Sequence, residues 1–311
     1  MHQLVSAHVV ATDLCLVYAI LRSFVLRVLS SSQTLVMSDP SLNTTSDSLT
    51  VDQAITHLQG DDLGLRVYAA WWLGRFRVDH PGVVDTLIIA LQDEADRTPA
   101  GGYPLRRNAA RALGKLGDRQ AVQPLIDCLS CSDFYVREAA AQSLEMLGDA
   151  SSIPTLIQLL ENGIPGTLPA PEQPDIAQPY DAILEALGTL QATQAIPLIE
   201  PFLKHPIARI RYAAARSLYQ LTANPQQANQ YGDILIAALQ GEDLQLRRAA
   251  LADLGAIGYL DAAEAIAQTL AENSLKLIAL KGLLETQFTQ TEPPALNDGA
   301  IRVMTLMDEL L

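Results

Sequence analysis

Cysteine is scarce in this sequence: Cys15, Cys128 and Cys131 are the three in 311 residues. They make no disulfide framework and suit a reducing compartment. Cys128 and Cys131 form a single C-x-x-C pair. A structural zinc site needs two further ligands, and His2, His8, His57, His80 and His205 are scattered without metal-ligand spacing. No metal is expected, and the pair reads as two small, buried or half-buried side chains. Positive charge is also in deficit, with 21 Lys and Arg against 35 Asp and Glu, a net charge of −14. Such a chain is poorly suited to displacing counterions from nucleic acid or to lying on an anionic membrane. There is no G-x-G-x-x-G, no phosphate-binding P-loop and no G-x-S-x-G elbow. No self-contained catalytic apparatus and no cofactor are therefore expected. Alternation with period two is missing, which predicts almost no β-structure.

The first 36 residues differ from the rest. Leu4 to Leu29 is largely apolar but holds Asp13, Arg22 and Arg27, and it lacks a basic leader and a clean cleavage site. Met37-Ser38-Asp39-Pro40 reads as a natural start, followed by the polar stretch Ser41–Ser48. We read 1–49 as an extension outside the native fold, 50–286 as a repeat array, and 287–311 as a linker with a short C-terminal helix.

What the chain does have is a repeat. Leucine anchors stand at Leu73, Leu113, Leu144, Leu187, Leu218, Leu254 and Leu283. Seven residues before each comes Arg66, Arg106, Arg137, Tyr180, Arg211, Arg247 or Lys276, so Tyr180 alone departs from a basic ladder. Alanine precedes the anchor by four at Ala69, Ala109, Ala140, Ala214, Ala250 and Ala279. Offsets of four and seven share one helix face, and small alanines let a neighbouring helix approach. An amphipathic segment precedes each such helix, as at Val83–Gln92, Ala121–Leu129, Ile153–Leu160 and Ala195–Leu203, with Pro124, Pro154 and Pro197 in first turns. Gly74, Gly117, Gly148 and Gly258 read as helix stops. Asp62, Asp133 and Asp243 read as N-caps that also pair with the arginine four residues on. This predicts an all-α chain, an α-solenoid of about seven HEAT-like helix-pair repeats. Two repeats are longer than the rest by about nine and about twelve residues, at Asp93–Gly102 and Asn162–Pro179, both at the turn between first and second helix.

The ladder itself reads as structural, tying repeats together. Arg107 and Arg111 lie off it and are candidates for gripping carboxylates, the alternative being a solvated helix face. Tyr68, Trp71, Trp72 and Phe76 gather both tryptophans on one helix. Either one tryptophan is core and the other covers the end of the array, or the cluster is an interface. Tyr180-Asp181, at the broken ladder position, is the most pointed departure.

Four segments carry a family resemblance: YAAWWLGRFR at 68–77, GGYPLRRNAARALG at 101–114, QPYDAILEALG at 178–188 and IARIRYAAARSLYQL at 207–221. Over about Thr50 to Glu285 the chain resembles the E-type subunit of the heterodimeric E/F phycobilin lyases. The resemblance implies a cyanobacterial, cytoplasmic subunit that pairs with an F-type HEAT subunit. It also implies that the pair attaches phycocyanobilin through a thioether to a cysteine of the phycocyanin α-subunit. The missing nucleophile is then explained, because the thiol belongs to the acceptor and the pigment is substrate rather than cofactor. On that reading Tyr68, Trp71 and Trp72 are expected to stack on pyrroles. Arg106, Arg107 or Arg111 would hold propionates, and Tyr103, Tyr180 and Asp181 would hydrogen-bond or protonate pyrrole nitrogens. The alternatives are a non-catalytic bilin or phycobiliprotein chaperone or adaptor, and a scaffold without pigment.

Overall fold

The computed structural model describes residues 49–161, 178–289 and 296–311, which fall in one compact unit, Leu49–Leu311. The expected N-terminal extension and most of the insertion Asn162–Pro179 lie outside the described residues. Among those described there are fifteen α-helices and no strand.

First helices are α1 (Val51–Gln59), α3 (Val83–Ala90), α5 (Val122–Cys128), α7 (Ile153–Glu161), α9 (Ile196–Ile199), α11 (Pro225–Ala238) and α13 (Ala263–Gln268). They alternate with second helices α2 (Leu63–Arg75), α4 (Pro104–Leu116), α6 (Phe134–Leu147), α8 (Tyr180–Thr189), α10 (Ala208–Leu221), α12 (Leu244–Ile257) and α14 (Asn273–Thr289). A last helix, α15 (Asp298–Leu310), packs on α14 and buries Ala300, Val303 and Met307. All seven anchor leucines are wholly buried, as are the alanines four before them. The segment Ala195–Leu203 is not one helix. After α9 it tightens into a 3₁₀ turn over Glu200–Lys204, because Pro201 has no N–H to continue the α-ladder.

Second helices stack on one another along the whole array, whereas first helices rest mainly on their own partners. The close layer is the shorter one, so the array curves toward the second helices and their outer face lines its inner surface. The close approach is built from glycine one residue after the anchor, set against a small residue one before the next anchor. A Cβ on Gly74 would stand 2.6 Å from Ala112 Cα, and one on Gly188 would stand 2.8 Å from Ser217 Cα. A Cβ on Gly114 would meet the Ser143 side chain, and one on Gly282 would meet the Gly255 backbone across the next such seam. Gly74 is thus no helix stop; it lies inside α2 at a seam. Gly117, Gly148 and Gly258 do end helices, with φ of +78°, +67° and +63°.

Asp62, Asp133 and Asp243 cap α2, α6 and α12 through their side chains. The ladder cations, however, turn to backbone carbonyls at the ends of first helices. Arg66 Nε donates to Leu58, Arg106 Nε to Asp93 at 2.6 Å, Arg137 to Cys131 and Ser132, Arg211 to His205 and Pro206, and Lys276 to Ala267. Three also cross to the next repeat: Arg66 to the Asp93 carboxylate at 2.7 Å, Arg137 to Gln178, and Arg247 to the Leu270 carbonyl. Positive charge at a helix C-terminus satisfies orphan carbonyls and complements the dipole. The expected pairing of Arg66 with Asp62 gives way to this, because carbonyls with no helical partner have the stronger claim on the guanidinium.

Candidate inner-face site

On each second helix, the residues six and two before the anchor fall one turn apart and face the inner surface. In α2 these are Val67 and Trp71; in α4, Arg107 and Arg111; in α6, Glu138 and Gln142; in α8, Asp181 and Glu185; in α10, Tyr212 and Arg216. From α2 to α8 the inner surface thus runs from aromatic, through cationic, to acidic, and Tyr212 and Arg216 follow on α10.

At the aromatic end, Trp71 is 45% exposed, with its ring centroid 5.6 Å from that of the exposed Tyr68. A shallow groove of about 410 Å³ is lined by Gly64, Val67, Tyr68, Trp71 and Asn108. Asn108 Nδ2 donates to the Val67 carbonyl at 3.2 Å and joins α4 to this end. Trp72 stands on another face, against Phe76 with centroids 5.1 Å apart. Neither tryptophan belongs to the core, which α2 fills with Ala69, Ala70 and Leu73.

The three neighbouring cations of α4 divide in role. Arg106 belongs to the ladder; it also pairs with Glu94 and lies 4.2 Å above the Tyr103 ring. Arg107 lies 5.9 Å over the ring of Tyr135, and its buried Nε finds no hydrogen-bond acceptor. Arg111 is paired only loosely, with Glu138 at 3.5 Å. Burial, reinforced by Asp181, holds Glu138 above the ordinary carboxylate range against the pull of Arg111 and Arg107.

Two of the proposed hydrogen-bonding residues lie elsewhere. Tyr103 is buried at the loop edge, with its N–H donating to Asp133 at 2.7 Å and its hydroxyl to Glu94 at 3.1 Å. It fastens the first insertion. Tyr180 is 6% exposed and packs its ring on Phe202 and His205, with centroids 5.3 and 6.4 Å away. An aromatic cluster replaces the missing ladder arginine there, and burial raises the Tyr180 hydroxyl above its ordinary range. Asp181 does face inward, with Oδ2 3.8 Å from Arg209 Nε.

Beyond Asp181 the inner layer holds an ion cluster that the repeat analysis missed. Arg209 contacts Glu185, and it donates to Asp253 at 2.6 Å. Arg216 donates to Glu185 at 2.8 Å and to Glu145 at 2.5 Å, with Asp253 at 3.6 Å. These charges join α6, α8, α10 and α12. Register alone would have found Glu185 and Arg216, since both occupy the position two before an anchor.

The C-x-x-C pair is at the end of α5. Cys128 is buried, and burial pushes its thiol up to about 12. Such a thiol is unreactive at neutral pH. Among the described residues no group of three metal-binding side chains gathers, and no helix is long and apolar enough to cross a membrane.

Comparison with known proteins fits this architecture. The HEAT repeat family matches residues 102–167, and the PBS lyase HEAT-like repeat matches residues 210–241. The phycocyanobilin lyase subunit alpha of Microchaete diplosiphon is 70% identical over 266 residues, covering 85% of this chain and 90% of that protein. The subunit of the same name from Synechocystis sp. is 55% identical, covering 88% of this chain and all of its own length (100%). The solved complex of CpcE and CpcF of phycocyanin lyase from Nostoc sp. superposes with a TM-score of 0.78 at 59% identity, covering 88% of this chain and 99% of that one. Similarity of this extent, shared by helix-pair repeats and full-length relatives alike, makes the chain a member of the phycocyanobilin lyase α-subunit family.

Proposed function

We propose that this chain is the α subunit of a heterodimeric bilin lyase. With an F-type partner it attaches phycocyanobilin through a thioether to a cysteine of the phycocyanin α-subunit. The observation that carries this reading is the 70% identity across 90% of a phycocyanobilin lyase subunit alpha. The inner surface supports it chemically. Tyr68 and Trp71 offer exposed rings for stacking on pyrroles. Arg107 and Arg111 keep guanidinium donors that the fold does not consume, suited to two propionates. Asp181 accepts from pyrrole N–H groups.

The chain's part is to bind and orient the pigment, shield it from side reactions and keep proton-bearing groups beside it. The nucleophile is the acceptor's thiol, so neither Cys128 nor Cys131 is consumed. The proposal places the pair in the cytoplasm, where free thiols persist.

The test is an in-vitro transfer. This chain, phycocyanobilin and apo-phycocyanin α-subunit are mixed with and without the F-type subunit, and pigment fluorescence is followed through a denaturing gel. Covalent product that requires both subunits is expected. Product at the spontaneous level, despite a stable complex, would reduce the chain to a pigment or phycobiliprotein carrier.

A further inference from the structure

The ion pairs that join repeats are of two kinds. Arg66 meets Asp93 at 2.7 Å, Arg209 meets Asp253 at 2.6 Å and Arg216 meets Glu185 at 2.8 Å, as good charge-assisted hydrogen bonds do. Arg111 and Glu138 stop at 3.5 Å, too far for a strong one. Distance between the helices is not the reason. At this seam α4 and α6 are in close contact, and a Cβ on Gly114 would stand 2.6 Å from the Ser143 Cβ. Arg209 also has a loose neighbour, Asp181 at 3.8 Å, but its guanidinium is taken up by Glu185 and Asp253. Among the described residues Arg111 has Glu138 alone.

This open pair is reached from the inner surface. The Arg111 and Glu138 side chains are 42% and 22% exposed. Arg111 shares with Trp71 the position two before the anchor. It stands one turn after Asn108, which lines the groove beside Tyr68 and Trp71. One turn before Arg111, Arg107 keeps a buried Nε without an acceptor and lies over the Tyr135 ring. The charged groups facing Glu138 are thus Arg107 and Arg111 from α4 and Asp181 from α8. Two guanidiniums with donors to offer stand beside a carboxylate that grips neither closely.

We infer that Glu138 is a built-in competitor for the propionates of the pigment: it holds Arg111 loosely in the free protein, yields it on binding, and keeps the pigment's affinity low enough for release. This rests on the lyase reading above. A guanidinium holds a carboxylate best through two parallel N–H···O bonds. One long contact leaves that geometry unused, so a propionate gains more at Arg111 than Glu138 gives up. The displaced Glu138 carboxylate stays beside the propionate and repels it. Its contribution therefore opposes binding, and does so for carboxylates only. An enzyme that hands its pigment to another protein has use for this, because holding substrate more tightly lowers KM without raising kcat. Glu138 is a positioning residue: it acts through Arg111 and touches none of the reacting atoms.

The experiment titrates the reconstituted pair with phycocyanobilin and with its dimethyl ester, which has no free carboxylate, following visible absorbance. Wild type, Glu138→Gln and Glu138→Asp are compared, and transfer to apo-phycocyanin α-subunit is measured alongside. Glu138→Gln is expected to tighten binding of the free acid about 3- to 10-fold, the size of one like-charge contact near a protein surface, and to leave the ester within about twofold. The KM for pigment falls with it, and kcat does not rise. Glu138→Asp keeps the charge but withdraws it by one methylene, so its gain is smaller and of the same sign. Free-acid binding that is unchanged or weaker in Glu138→Gln overturns the proposal. An equal gain for the ester also overturns it, because the effect then does not pass through a propionate. So does a kcat that rises as KM falls. If Glu138→Gln fails to fold, as seen by circular dichroism, the same two titrations of Glu138→Asp decide. A wild-type pair that binds no pigment overturns the lyase reading and this proposal together. Transfer by the wild type with an unmoved acid-to-ester ratio in Glu138→Gln overturns this proposal only.

Discussion

Gly74 and Ala112 pack so closely that a Cβ on Gly74 would stand 2.6 Å from the Ala112 Cα. The obstacle is backbone, so no side chain can swing aside to make room. Gly74→Ala is expected to cost about 1–3 kcal/mol by forcing α2 and α4 apart, read as a lower denaturant midpoint. It also separates Trp71 from Arg111, so transfer falls along with stability.

Arg106 and Arg107 are adjacent in sequence and opposite in role. Arg106→Ala leaves the Asp93 carbonyl without its donor and releases the Tyr103 ring, so a loss of about 1–3 kcal/mol is expected in thermal unfolding. Arg107→Ala or Arg111→Ala changes stability by about 0.5 kcal/mol or less, as ordinary surface positions do. Each instead weakens pigment binding by about 1.5–3 kcal/mol, the worth of a charge-assisted hydrogen bond, seen in a visible-absorbance titration. Equal effects of Arg106 and Arg107 on binding would contradict this division.

Tyr180 and Asp181 separate in the same way. The Tyr180 ring is held by Phe202 and His205, so Tyr180→Phe keeps the packing and the transfer rate. Asp181→Asn keeps the fold but lowers transfer about tenfold or more, since a positioned carboxylate is lost from the inner face. A Tyr180→Phe rate as low as that of Asp181→Asn would return the hydroxyl to the site.

Stability should carry a signature of Glu185. Its titration is raised in the folded chain from 4.5 to about 7, chiefly by burial. The folded state therefore keeps a proton that the unfolded chain releases between those values. The stabilisation from this group is complete below 4.5 and is lost as pH rises toward 7. The wild type should lose on the order of 3 kcal/mol relative to Glu185→Gln across that window in denaturant titrations. A constant difference between the two would mean that Glu185 is ionised throughout.

The helix pairs were legible because their signals are local. Leucine anchors, alanines four before them and capping aspartates repeat at fixed offsets, and each works within one helix or its nearest neighbour. Arg107, Arg111, Trp71 and Asp181 were legible as candidates for a related reason: they share the register of the repeat while departing from its residue types, and the structure places them on the inner face. The placement of Tyr103 and Tyr180 was not legible, because a tyrosine beside an insertion looks the same in sequence whether its ring faces a groove or, as here, fastens a loop or fills a gap in the core. Gly74 misled because its neighbour Ala112 is 38 residues away.

The sequence by itself determined the all-α class, the pairing of helices, the structural role of the basic ladder and the family. The first three depend on spacing along the chain, and the family on the resemblance of four segments. Only the tertiary structure decided which arginines remain available and that Glu185 and Asp253 share Arg209 and Arg216. A guanidinium's partner and a carboxylate's proton are set by distances between helices and by the water excluded between them. Those distances exist only once the second helices have stacked.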